Sequence, residues 1–178
     1  FNYAEIHNKD FSTGGVTKWI STNSTSLTVN TTQTTHTNVW KIVNVEGETF
    51  CFYNEATNMY MCPPTMIDGS TVIKMTSDKN QAGVYKINID GTPTYTNGNL
   101  VSATVKIESV DNKGTYIALT SADTKNVTAV TSSSAAGVQW IMTPIADVTI
   151  QHNFYSLAAN MAWQYPFYLQ ENEGLVQD

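Results

Sequence analysis

The most constraining feature of this chain is that it repeats itself three times. Three segments end in one pattern: Asn38-Val39-Trp40-Lys41-Ile42, Gly83-Val84-Tyr85-Lys86-Ile87 and Gly137-Val138-Gln139-Trp140-Ile141. Their aromatics, Trp40, Tyr85 and Trp140, lie 45 and 55 residues apart, a spacing typical of repetitive architectures. Upstream of each, one order recurs: a strand, a polar turn, a second strand opening on an aromatic, then a polar third strand. The first copy runs Tyr3 to Asn8, Lys18 to Ser21 and Leu27 to Val29. The second runs Phe50 to Asn54, Met59 to Cys62 and Val72 to Met75, and the third Thr104 to Glu108, Thr115 to Leu119 and Val127 to Val130. From the inner aromatic (Trp19, Tyr60, Tyr116) to the terminal one the distances are 21, 25 and 24 residues, so the copies differ only by loop-sized changes. The longer third period is accounted for by Gly91 to Val101, whose Thr-Pro-Thr and Asn97-Gly98 signals predict an extra surface hairpin or loop.

Apolar residues alternate with period two through residues 1 to 145, and helical periodicity is nowhere sustained. Three four-stranded units, each too small to bury its own face, can share one core about a pseudo-threefold axis. The expectation is an all-β chain, a β-trefoil over residues 1 to 145 with repeats at about 1 to 45, 46 to 89 and 90 to 145. Trp40, Tyr85 and Trp140 then belong in the core. A β-sandwich is the alternative, although it would not repeat a terminator at these intervals.

Of the 178 residues, 41% are hydrophobic and 13% charged, a globular balance. The net charge is -6, and all nine basic residues are Lys. A chain with no guanidinium fork and no basic stripe is not expected to take a nucleic-acid partner. No run approaches the roughly 18 to 20 apolar residues that span a bilayer, so no membrane insertion is expected. The chain opens on Phe1 with neither Met nor a basic-then-apolar leader, and reads as a processed or excised segment.

Both cysteines fall in Phe50-Cys51-Phe52-Tyr53-Asn54-Glu55-Ala56-Thr57-Asn58-Met59-Tyr60-Met61-Cys62, a hairpin pattern. A turn over Glu55 to Asn58 sets Cys51 opposite Cys62. Facing Cα atoms at about 4.5 to 5.5 Å make a disulfide feasible, which would suit an oxidising compartment. Two reduced thiols are the equal alternative.

Catalytic patterns are lacking. The acids, among them Glu46, Glu48, Asp68, Asp90 and Asp111, fall mostly in turns rather than converging on a cleft. His7, His36 and His152 join no metal motif, and there is no Gly-x-Ser-x-Gly elbow or phosphate loop. The expectation is no enzyme, no cofactor and no metal. Asn23-Ser24-Thr25, Asn30-Thr31-Thr32 and Asn126-Val127-Thr128 match the N-glycosylation pattern, which marks exposed loops.

The repeat unit, with Gln139-Trp140 echoing a Gln-x-Trp terminator, resembles that of the ricin-B-type lectins over residues 1 to 145. The resemblance implies a β-trefoil module of a secreted, multidomain bacterial protein. In that family a sugar sits in a shallow pocket of each repeat, on an Asp that follows the inner aromatic-apolar pair and on a stacking ring farther along. Here the Asp positions fall on Ser21, Cys62 and Ala118, and Thr22 to Thr37, Pro63 to Gly83 and Thr120 to Gly137 hold no Phe, Tyr or Trp. The family's own sugar site is therefore not expected. What remains are Trp19, Tyr60 and Tyr116, three rings at equivalent outward positions, with Asn23, Asp68 and Asp123 near them in sequence. They are candidate ligand contacts; the competing reading is that these rings close the core.

Beyond Trp140, residues 146 to 178 are rich in aromatics, including Phe154, Tyr155, Trp163, Tyr165, Phe167 and Tyr168. This short C-terminal β segment resembles the junction where secreted bacterial trefoils enter a following β domain; the alternative is an arm folded back on the trefoil. The functional expectation is a non-catalytic binding module, secreted or at the cell surface, within a larger extracellular protein. Its partner would be a carbohydrate, bound weakly or at a non-standard site, or a neighbouring protein domain. A structural or protein-interaction trefoil is the competing reading.

Overall fold

The computed structural model describes residues 3 to 33 and 36 to 145. The segment 146 to 178, and with it the expectation of a following domain or arm, lies outside them.

Thirteen strands are found among the described residues. The first repeat contributes β1 (Tyr3–Asn8), β2 (Trp19–Thr22), β3 (Leu27–Asn30) and β4 (Val39–Asn44). The second contributes β5 (Thr49–Asn54), β6 (Met59–Ile67), β7 (Ser70–Thr76) and β8 (Tyr85–Ile89). An inserted β9 (Thr94–Thr96) precedes the third set, β10 (Asn99–Ser109), β11 (Tyr116–Ala118), β12 (Thr128–Val130) and β13 (Trp140–Pro144).

Antiparallel pairing runs β1 to β4, β4 to β5, β5 to β8, β8 to β10, β10 to β13, and back from β13 to β1. Six strands thus close a barrel, two from each repeat. The remaining pairs, β2–β3, β6–β7 and β11–β12, form three hairpins. These meet one another through the bridges Ser26 to Lys74 and Thr28 to Asn126 and through the hydrogen bond of Thr128 to the Thr71 carbonyl. Three hairpins capping a six-stranded barrel make a β-trefoil.

The threefold relation holds atom by atom. Trp40 and Trp140 are fully buried, and their indole N–H groups donate to the carbonyls of Ile20 and Ile117, each at 2.9 Å. Tyr85, equally buried, donates its hydroxyl to the Cys62 carbonyl. Each terminal aromatic therefore fills the core and ties the barrel to the hairpin of its own repeat, where its polar tip finds a backbone acceptor. Around them pack equivalent triplets: Ile6, Phe52 and Ile107 from the first strands, and Ile20, Met61 and Ile117 from the second.

A buried polar triplet ends the first strands. Asn8 donates to the Gly137 carbonyl and accepts from the amides of Asp10 and Phe11. Asn54 repeats this, donating to the Thr37 carbonyl and accepting from Thr57. Ser109, shorter, keeps only the turn contact, accepting from Asn112 at 3.0 Å. The residue beginning each turn is thereby fixed by side-chain bonds that satisfy otherwise orphaned backbone groups.

The insertion forms the expected hairpin: β9 pairs with the start of β10 around Asn97-Gly98, both at positive φ (53° and 80°), as a primed two-residue turn requires.

The feasible disulfide is not formed; Cys51 and Cys62 are both free thiols. The expected turn over Glu55 to Asn58 is present, with Asn54 paired to Met59 and Tyr53 to Tyr60. The β5–β6 ladder ends at Tyr60, where β6 leaves the barrel to pair with β7 through an irregularity between Met61 and Pro64. Cys62 departs with it.

Candidate functional site

Because side chains alternate along a strand, the residue before each buried Asn8, Asn54 and Ser109 points outward. The register sets it directly opposite the inner aromatic: His7 pairs with Trp19, Tyr53 with Tyr60, and Glu108 with Tyr116. The three rings are half-buried, neither sealed in the core nor fully exposed. Each forms a two-residue platform on the outer face of its repeat, with a different partner each time.

Trp19 meets the edge of His7 at 6.2 Å between centroids and 63°. Burial holds the His7 imidazole below its ordinary pKa, so at neutral pH this platform is uncharged. Tyr53 and Tyr60 tilt together at 4.6 Å and 50°, and the Tyr53 hydroxyl donates to Asn58. Burial raises the pKa of both phenols, leaving another neutral platform.

The third differs. The Glu108 carboxylate beside Tyr116 accepts the Gly114 amide at 3.1 Å on one oxygen and the Asn88 side chain at 3.4 Å on the other. Two hydrogen bonds leave lone pairs free on an ionised carboxylate. This platform joins an aromatic face to a fixed acceptor. Glu108 was not singled out from sequence, yet the signal was present: a turn over Val110 to Thr115 places it across from Tyr116.

The polar companions expected from sequence are not brought to the rings. Asn23 lies in the β2–β3 turn, where its side chain accepts from the amides of Thr25 and Ser26. Asp68 occupies the tip of the β6–β7 hairpin at φ 49°, before Gly69. Asp123 lies in an exposed turn between β11 and β12. At about 3.3 Å per strand residue, even Asn23 is a hairpin's length from Trp19. Of the positions matching the lectin Asp, Ser21 is buried and bonded to Thr37, Ala118 is fully buried, and half-buried Cys62 carries a thiol in place of a carboxylate.

Two concavities lie elsewhere. A cleft of about 320 Å³ is lined by Tyr3, His36, Val39, Glu55 and Ala56; burial and then a hydrogen bond to Glu55 push the Tyr3 phenol upward in pKa. A groove of about 430 Å³ opens where the three hairpins meet. Among the described residues no cluster of His, Cys, Asp and Glu could hold a metal.

No family model matches this chain, and no curated protein matches it. Solved structures do. A mosquitocidal holotoxin aligns with TM-score 0.63 at 13% identity over 84% of this chain, which spans only 18% of the toxin. A Culex quiquefasciatus salivary protein of the cysteine- and tryptophan-rich family aligns with TM-score 0.61 at 16% identity over 81% of this chain and 94% of its own. The Macrolepiota procera ricin B-like lectin, solved with lactose, aligns with TM-score 0.58 at 11% identity over 80% of this chain and 95% of the lectin. The likeness is one of fold. The trefoil's outward platforms must be judged on their own chemistry, because fold carries no site with it.

Proposed function

We propose that this trefoil is a non-catalytic carbohydrate-binding module whose principal contact is the Tyr116 platform. The observation that carries the reading is the direct cross-strand pairing of Tyr116 with Glu108, whose carboxylate is held by the Gly114 amide. A ring face packs against the apolar side of a sugar ring, and an ionised carboxylate beside it accepts hydroxyl hydrogens in charge-assisted bonds. The Trp19 and Tyr60 platforms offer stacking without a carboxylate and act as auxiliary contacts. Such shallow, half-exposed surfaces bind weakly, and avidity from several platforms offsets this. The lactose-bound lectin among the trefoils of similar fold supports the same class of ligand.

The setting we propose is extracellular, with residues 1 to 145 serving as an accessory module of a larger protein. A protein partner is the second reading, favoured by Met66, 68% exposed on β6, and by Tyr95 and Val101, exposed on the inserted hairpin.

On a glycan array the chain is expected to give a saturable signal that drops about tenfold in Tyr116→Ala and in Glu108→Gln. Trp19→Ala should lower it less, and all three variants should keep the circular dichroism of the parent. A silent array, or binding indifferent to both third-repeat substitutions, would overturn the reading.

A further inference from the structure

We infer that the groove where the three hairpins meet is a second saccharide site, taking an uncharged sugar and separate from the Tyr116 platform. It goes beyond the platform reading, since neither Tyr116 nor Glu108 lines it.

The groove is assembled from all three repeats: Ser26 from the first, Ser70 and Thr71 from the second, and Asn126 from the third. Ser70 and Asn126 are exposed and Ser26 and Thr71 half-buried, and none of these four side chains makes a hydrogen bond within the described residues, which leaves their hydroxyls and amide open to a ligand. Beneath them the floor is apolar, formed by Leu27 and Val127, both buried, with Val72. Its volume of about 430 Å³ falls within the roughly 300 to 1,000 Å³ of small-molecule sites.

The chemistry selects the ligand class. No Asp, Glu, Lys or His lines the groove, so an ionic ligand would lose hydration and gain no counter-charge. A wholly apolar ligand would strand the free hydroxyls without partners. A neutral polyol with one apolar face satisfies both the polar walls and the apolar floor, and a sugar ring has that character.

The site is not threefold, although the fold is. The β6–β7 hairpin is the longest of the three, so Ser70 and Thr71 stand as one wall, and the loop after Ala118, contributing Thr120 and Thr124, stands as the other. The hydroxyls of Thr120 and Ser121 share hydrogen bonds with Thr124, which fixes that second wall. One ligand orientation is therefore preferred over its symmetry mates.

The test is a nitrogen-15 amide titration of the full chain with glucose, galactose, N-acetylglucosamine and lactose, and with glycerol and sodium phosphate as probes of unspecific polyol or anion binding. The expected result is saturable shifts at Ser70, Thr71, Asn126 and Thr128 with at least one sugar and none with glycerol or phosphate. Affinity should fall about tenfold in the Ser70→Ala/Thr71→Val double variant, fall similarly in Asn126→Ala, and persist in Tyr116→Ala. Shifts confined to the Tyr116 region, equal shifts with glycerol, or insensitivity to both sets of groove substitutions would overturn the proposal. Groove shifts that persist when Glu108→Gln leaves array binding unchanged would instead sink the platform reading alone.

Discussion

Gly137 shows how little freedom single residues have in this fold. It holds φ at 86°, accepts at its carbonyl from Asn8 and Leu119, and donates its amide to Asp10 at 2.8 Å. A Cβ there would run into the Leu119 carbonyl and the Phe11 ring. Left-handed backbone and backbone contact act together, so relief by a side-chain rotation is closed. Gly137→Ala should cost about 2 kcal/mol or more, read as a lowered denaturation midpoint at unchanged slope. An alanine variant as stable as the parent would mean the turn can adopt another conformation. The cost should also appear at a distance, because Gly137 fastens the end of β1 to the approach of β13.

At the level of elements, the inserted hairpin is built differently from the trefoil around it. Every residue of β9 is exposed, and its pairing with β10 shifts register between Leu100 and Ser102. From Ala103 onward β10 instead belongs to the barrel, paired with β13 and β8. Replacing Asn97-Gly98 by Ala-Ala removes the two residues that tolerate positive φ. The expected outcome is local opening: faster hydrogen exchange at Tyr95 and Leu100, unchanged protection at Val105 and Ile107, and a global loss of about 1 kcal/mol or less. Equal loss of protection in both halves of β10 would show that the hairpin and barrel unfold together.

This hairpin was legible from sequence because Asn-Gly is a local signal, and the three terminal aromatics were legible because apolar spacing repeats. The platform partners were harder to see. His7, Tyr53 and Glu108 share a position yet no chemistry, so self-comparison passes over them, and only cross-strand register reveals that all three face a ring. Asn8, Asn54 and Ser109 escaped for a related reason: their role lies in turn contacts and, for the two asparagines, in reaching a neighbouring repeat. The cysteines were placed in the right turn, but where β6 peels away from β5 is set by the meeting of hairpins from other repeats. The groove lay beyond sequence reading altogether, since its walls come from positions about 50 residues apart in the chain.

The whole molecule depends on closure. Each barrel strand has two neighbours, and the ring is completed only when Ala4 to Asn8 pair with Trp140 to Pro144. The segment 46 to 89 contains β5, β8 and a complete hairpin, yet in the barrel β5 also needs β4 and β8 also needs β10. Alone it would expose Phe50, Phe52, Met61 and Tyr85, all buried in the trefoil, and a lone small unit lacks the core to offset its lost chain entropy. The isolated 46 to 89 peptide should therefore show the narrow amide dispersion of an unfolded chain. Residues 1 to 145, which hold every strand of the ring, should unfold in one transition, with tryptophan fluorescence and far-ultraviolet circular dichroism coincident. Refolding should be slow, in milliseconds to seconds, because so many contacts are remote in sequence. A folded single repeat would refute the shared core; two separated transitions would show that the three units support one another less than their common barrel implies.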